Sequence, residues 1–384
     1  MDSIALSEPW IGVNELTAVR RALYSGRLAL GPFAARFERM VAEYVGMPYA
    51  VGVSSGTAAL HLIVRALGLT SGDEVITTPF SFIASANCLL YEHVRPVFCD
   101  IEPATLCIDP ALVEERIGSR TRAILAVDVF GHPADWPALQ NIAKRHGLYL
   151  IEDSCEALGA GVYSNPGSPQ LRRCGSFAGA AAFAFYPNKQ LTTGEGGMIV
   201  TDSRRIAELC RSMANQGRRA CAGTWLEHVR LGYNYRLDEL SAALGCAQMQ
   251  RLEKILIRRR AVARMYARCL KTIPGIIPPI EKAGTVASWF VYCIRLNENF
   301  TRADRNRILG YLRSCGIECS DYFRPIHLQP FYRREFGFCR GYFPVAEAAG
   351  DRTIALPFHA RLSRRAVEKV CATLAEAVRR TGRE

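Results

Sequence analysis

The chain has 384 residues, 49% of them apolar and 22% charged, with a formal charge of +12, which fits a soluble globular protein of two or three lobes. No apolar run approaches the length of about eighteen residues needed to span a membrane, and the opening MDSIALSEPWIG lacks the blocks of a secretory signal, so a cytoplasmic location is expected. Fourteen cysteines without a C-x-x-C pair and seven histidines without H-E-x-x-H predict buried thiols in a reducing compartment, and no metal site.

Residues 14–25 and 34–45 carry apolar positions at helical spacing, the second with Phe37, Met40, Val41 and Tyr44 on one side. A strand is expected at 49–53, followed by Ser54-Ser55-Gly56-Thr57 and an amphipathic helical stretch. The free N–H groups of a helix start, its dipole and the Thr57 hydroxyl together suit a phosphate, although a plain serine cap has the same sequence. Neither G-K-[ST] nor G-x-G-x-x-G is present here. Further strands are expected at 74–77, 96–99, 123–129, 148–151, 181–185 and 197–200. With the first they make about seven, mostly apolar on both faces, as a largely parallel sheet covered by helices requires.

Three residues along this series carry chemistry. Phe82 stands just past a strand end, where its ring either joins the core or stacks on a flat ligand. Glu152 and Asp153 close the strand at 148–151, ahead of a helix expected at 155–158, and a carboxylate there either caps that helix or holds a pyridinium N–H. In FAFYPNKQLTTGEGG (183–197) an apolar run is broken by Pro187 and Asn188 and delivers Lys189 to a strand end, with Gly194, Gly196 and Gly197 allowing close approach to a bound group. Partly desolvated, such a lysine loses proton affinity and attacks an aldehyde; the alternative is a solvated lysine in a hairpin turn. An extended loop at 163–173 and one strand separate Asp153 from Lys189. Phosphate cradle, carboxylate and lysine, in that order, meet the anion, the pyridine nitrogen and the aldehyde of pyridoxal phosphate.

Farther on, a helix at 236–252 continues through Ile255 and Leu256 into Arg258, Arg259, Arg260, Arg264 and Arg268. These read as the wet side of a helix, and without interleaved aromatics they give no nucleic-acid stripe. Around 271–285 the composition turns to Pro and Gly, so a large domain at 1–255 and a small α+β domain at 256–384 are expected, the latter with a strand at 289–296 and helices at 305–315 and 364–379. Tyr322 and His327 either face the site from that lobe or pack elsewhere.

SGTAALHL (55–62), GDEVITTPFSF (72–82), IEDSCEALGA (151–160), FYPNKQLTTGEGG (185–197), NQGR (215–218), GYNYRLDELSAALG (232–245) and PIHLQPFY (325–332) occur in this order. Together they resemble the DegT/DnrJ/StrS family of pyridoxal-phosphate-dependent, fold-type-I sugar aminotransferases, across essentially the whole chain. The resemblance implies an α/β fold of that type, with a seven-stranded, mostly parallel sheet between helices and a smaller C-terminal domain. It implies that Lys189 bonds covalently to the cofactor, that Asp153 meets the pyridine nitrogen, that Gly56 and Thr57 bind the phosphate and that Phe82 stacks on the ring. Glu156 falls where many members carry Gln or His beside the cofactor, and Asn234 resembles a residue that reaches the cofactor phosphate of the neighbouring subunit, which makes a homodimer with shared sites.

The implied reaction takes an amino group from an amino acid, most often L-glutamate, through pyridoxamine phosphate to a keto sugar, usually nucleotide-linked, in amino-sugar, polysaccharide or glycosylated natural-product biosynthesis. A cyclitol ketone is an alternative acceptor. A sugar dehydratase of the same fold is another reading, but those relatives replace the lysine with histidine. Intact Lys189 and Asp153 argue against a non-enzymatic regulator. Two departures stand out: Ala184 occupies the place of a common phosphate-binding serine, and Glu156 brings a second, protonated carboxyl.

Overall fold

Seven short apolar segments pair into one sheet in the computed structural model, which describes residues 3–164, 170–219 and 227–381. Across the sheet the order is Tyr49–Val53, Gly197–Thr201, Ala180–Ala184, Tyr149–Asp153, Thr121–Val127, Glu74–Thr77 and Arg95–Phe98. The last five of these pair in parallel, and Gly197–Thr201 runs antiparallel to both its neighbours. Helices cover the faces, and Val75, Ile76, Ile124, Leu125 and Ile151 are fully buried beneath them. Each such side chain is worth about 1.5–3 kcal/mol relative to an exposed one.

One strand is almost entirely alanine, AAAFA at Ala180–Ala184. Small side chains let the helix Gly56–Ala66 lie close: a Cβ on Gly56 would stand 2.7 Å from Ala184 Cβ and 2.8 Å from Cys155 Sγ. The helix start is thereby brought beside the carboxyl ends of the parallel strands, the edge at which open α/β sheets bind ligands.

Several expectations change in detail. The strand expected at 123–129 ends at Val127, because Asp128 turns away and accepts hydrogen bonds from Ala134 N and Trp136 Nε1, both at 2.9 Å. No helix forms at 155–158; those residues make turns, and Asp153 Oδ1 accepts from Cys155 N at 3.2 Å instead of capping a helix. The loop expected at 163–173 is bounded by two paired strands, Gly161–Tyr163 and Leu171–Arg173, joined by Thr285–Val286; residues 165–169 lie outside the described residues. The helix expected at 236–252 is Glu239–Met249, capped by Asp238, and a second helix, Leu252–Leu270, follows a break at Arg251.

A second antiparallel sheet, Ile276–Ile277, Tyr292–Leu296 and Thr353–Leu356, is backed by Arg302–Ser314 and Arg364–Thr381 around Tyr266, Ile294, Leu312 and Leu374. Ile4 bridges to Ile317, so the first described residues join this C-terminal core. Leu252–Leu270 runs unbroken through the expected boundary at 255/256: Leu252 and Leu256 pack with Phe37 and Phe185, whereas Val262 and Tyr266 belong to the C-terminal core. Arg258, Arg264 and Arg268 are exposed as expected, but Arg259 is 4% exposed and does not belong to the wet face. Among the described residues no helix is long and apolar enough to cross a membrane, and every described cysteine is free, most of them buried.

Candidate active site

A cavity of about 520 Å³ opens at the carboxyl edge of the sheet, and Gly56, Thr57, Phe82, Asp153, Glu156, Lys189 and Tyr322 all line it. Residues spread over 267 positions of sequence therefore meet in one place. At the helix start, Ser55 accepts from Ala58 N at 3.1 Å, so it does cap the helix. The N–H groups of Gly56 and Thr57 nevertheless lie in the first turn, where a helix supplies no carbonyl, so cap and anion cradle coexist.

Asp153 is 4% exposed at the end of its strand. Its Oδ2 accepts from Ser85 Oγ at 2.7 Å, and Ser85 lies 2.8 Å from Ser81 Oγ. Ser85 Oγ and Cys155 N fix the carboxylate while leaving acceptor capacity for a ligand N–H. Neither serine is marked by a local pattern; Ser85, on the short helix Ala84–Leu90, reaches Asp153 across 68 positions of sequence, and Ser81 contacts it only through Ser85.

Lys189 Nζ lies 3.8 Å from Glu156 Oε1 and 3.8 Å from the centre of the Phe290 ring. Glu156 is held by a 2.8 Å bond from Phe130 N. Burial raises its pKa from 4.5 to about 7, with the Lys189 charge opposing that rise. Between those values the folded chain keeps a proton that the unfolded chain has released. Stability is thus greatest below the lower value, falls as pH rises toward the upper one, and levels off beyond it. Glu156→Gln is expected to remove this part of the slope, stabilising the cofactor-free chain by up to about 3 kcal/mol at pH of about 8 and little at about 5. Denaturant unfolding at the two pH values measures the difference, and an equal effect at both would show that Glu156 does not titrate in this window.

Two further contacts frame the lysine. Asn188 Oδ1 is a buried acceptor without a hydrogen-bond donor, on the cavity wall. Behind the wall, Arg259 spreads its guanidinium over four main-chain carbonyls: Nη2 donates to Lys189 O at 2.9 Å and Asn188 O at 3.2 Å, and Nη1 to Trp289 O and Phe290 O, each at 3.2 Å. One side chain thus pins the backbone of both the lysine and the ring beneath its amine. Sequence alone hides this, since Arg259 sits inside a basic run.

Two residues named from the sequence do not line this cavity, one of which, Asn234, is expected at a neighbouring subunit's site. His327 is fully buried, with Nε2 3.0 Å from Glu347 Oε1 and its ring edge-on to Phe343; it does not line the cavity. Asn234 is exposed and also outside this cavity. Its neighbours Tyr233 and Tyr235 stack on each other 4.9 Å apart and both pack on His61, so Asn234 is held facing outward. Tyr322 does line the cavity, and Phe82, 60% exposed, stands at its mouth.

Asp128, Glu152 and Cys174 cluster within 4.8 Å, close enough for a metal. Their oxygens instead accept from Ala134 N, Trp136 Nε1, Ser154 Oγ, Gly175 N and Phe177 N. Burial pushes both carboxyls up, and the Asp128 charge raises Glu152 further.

A model of the DegT/DnrJ/EryC1/StrS aminotransferase family matches residues 9–375. The chain belongs to this family. Among its relatives is a GDP-perosamine synthase of Vibrio cholerae, 35% identical over 369 residues that cover 96% of this chain and 97% of that protein. PseC of Helicobacter pylori, an aminotransferase of pseudoaminic acid biosynthesis, superposes with a TM-score of 0.92 at 30% identity over 99% of this chain and 100% of its own. Spr1654 of Streptococcus pneumoniae, described as a putative sugar aminotransferase and solved in PLP and PMP forms, superposes with a TM-score of 0.92 at 26% and 27% identity over 99% of this chain and 100% and 98% of its own. The DegT/DnrJ/EryC1/StrS protein described here is accordingly a fold-type-I, pyridoxal-phosphate-dependent sugar aminotransferase.

Its cavity fits that cofactor. The close contact at Gly56 leaves backbone N–H groups where a side chain would intrude, Asp153 offers an acceptor, and Lys189 offers an amine at the opposite end of the chemistry. Where the family's serine is missing, Ala184 presents only a methyl group to the cavity. Asn188 offers an unpaired acceptor, which suits a hydroxyl or an amine better than a phosphate.

Proposed function

We propose that this chain transfers an amino group from L-glutamate to a keto sugar carried on a nucleoside diphosphate. The observation that carries the reading is the convergence of Lys189, Asp153 and the Gly56–Thr57 helix start on one cavity. Bound there, pyridoxal phosphate would carry the amino group between the two substrates and draw electrons from the carbon that loses its proton.

The remaining work falls to the side chains. Gly56 and Thr57 would bind the phosphate through backbone N–H groups and a hydroxyl. Asp153, oriented by Ser85, would hold the proton on the pyridine nitrogen. Lys189 Nζ would take the proton from the donor Cα as base and return it as acid. Glu156, part-protonated near neutral pH, stands beside that amine and can stabilise either of its charge states. Phe82 would stack over the cofactor ring, while Tyr322 and Asn188 meet the sugar from the facing wall.

The active unit in this reading is a homodimer. Asn234 is turned out of its own cavity, which suits a contact with the cofactor phosphate of a second copy. The chain also leaves Leu16, Tyr24, Leu30 and Leu231 more than half exposed, apolar surface that a partner would cover.

The test separates the two half-reactions. L-Glutamate is expected to bleach the spectrum of the loaded enzyme with release of 2-oxoglutarate, and one of a panel of nucleotide-linked keto sugars to restore it. Restoration by an inosose and by none of the sugars would transfer the reading to a cyclitol ketone.

A further inference from the structure

The catalytic cavity accounts for little of the +12 charge. A second cavity, of about 170 Å³, is lined by Arg302, Arg305, Arg324, Arg333 and Arg340 against only Asp321 and Asp351. Five positive groups less two negative ones leave a net +3 around a space smaller than ordinary ligand pockets.

The arginines differ in how far they are satisfied. Arg305, 1% exposed, donates to Gly350 O at 3.3 Å and Thr353 O at 3.2 Å and lies 3.3 Å from Asp321 Oδ2. Arg340 pairs with Asp351 and lies 3.8 Å from Glu347. Arg324 donates only to Leu328 O, at 3.1 Å. Arg302 and Arg333 have no carboxylate within ion-pair distance among the described residues. Three guanidiniums without a counter-charge therefore face one small space around a buried fourth. All three are exposed and screened by water, but guanidinium forks match phosphate oxygens in pairs and the positive crevice favours an anion.

We propose that this crevice is a binding site for a phosphate or diphosphate group, separate from the catalytic cavity. Its volume of about 170 Å³ is enough for one or two tetrahedral anions. The segment 321–324 is the wall between the two cavities: Asp321 and Arg324 line the arginine crevice, Tyr322 and Phe323 the catalytic one. An anion held by Arg324 therefore braces the backbone that carries Tyr322.

The test uses the full chain loaded with pyridoxal phosphate, so that the cofactor fills the cradle at Gly56. Titration calorimetry with inorganic pyrophosphate is expected to give one site per chain. Arg302→Gln/Arg333→Gln, which removes two exposed side chains that make no ion pair, is expected to weaken it about tenfold or more. Pyrophosphate is also expected to slow amide exchange in residues 320–328 of the parent and not of the variant. Equal affinity in both proteins, or no binding by about 10 mM, would overturn the proposal. A nucleoside diphosphate arm identifies the source. Tighter binding than pyrophosphate that the double variant abolishes marks a nucleotide's phosphates, and equal binding marks the free anion.

Discussion

Replacing Lys189 with alanine is expected to lower turnover by at least about 1,000-fold while leaving the fold intact. The size follows from what the amine does: it would both hold the cofactor and move the proton, and among the described residues no other lysine lines the cavity. The small structural cost follows from its surroundings. Lys189 Nζ makes one loose ion pair, at 3.8 Å, and one ring contact, so its loss leaves no buried donor stranded. Borohydride reduction followed by mass measurement gives the second readout: the parent gains the mass of the reduced cofactor at Lys189 and the variant does not. A variant that is covalently loaded and turns over at the parent rate would remove the basis of the proposed mechanism.

The next largest effect is expected from a residue that touches no substrate. Arg259→Met should lower kcat about 100-fold with KM little changed, because a displacement of about 1 Å at a reacting group costs that much. The guanidinium is the common donor to the carbonyls of Asn188, Lys189, Trp289 and Phe290. Burial lowers its pKa from 12.5 to about 10, so it stays protonated at neutral pH. Loss of the four bonds is partly offset by relief of a buried cation that has no carboxylate, and a stability loss of about 2–3 kcal/mol is expected. Arg259→Lys keeps the charge but not the fork and should recover stability more than kcat. A stability loss with unchanged kcat in both variants would reduce Arg259 to a packing role.

Much of this arrangement was legible from local pattern. Apolar runs bounded by Gly, Pro and polar turns marked the strands, because residues buried on both faces leave no room for charge, and the seven expected segments all occur in the sheet. Gly56, Thr57, Asp153 and Lys189 were found because each stands at a strand end or helix start, a position that sequence announces. Arg259 was misread because its neighbours Arg258 and Arg264 are solvated and periodicity cannot tell one arginine in a basic run from the next. Ser85 and Phe290 escaped for a related reason, their roles being set by contacts 68 and 101 positions away. For His327 the sequence leaves both placements open. Its Nε2 pairs with Glu347 in the core, a contact that a spacing argument does not reveal.

The helix Leu252–Leu270 is one unbroken rod of 19 residues rooted in two different cores. Arg259, its grip on the lysine loop, lies seven residues from Tyr266 in the C-terminal core, about 10 Å along the axis. The rod has the geometry of a lever with a short arm: a swing of the C-terminal core would reach Lys189 as a tug on its own carbonyl. The two cores therefore meet the lysine loop through a single side chain, and a shift of one against the other would be felt there first.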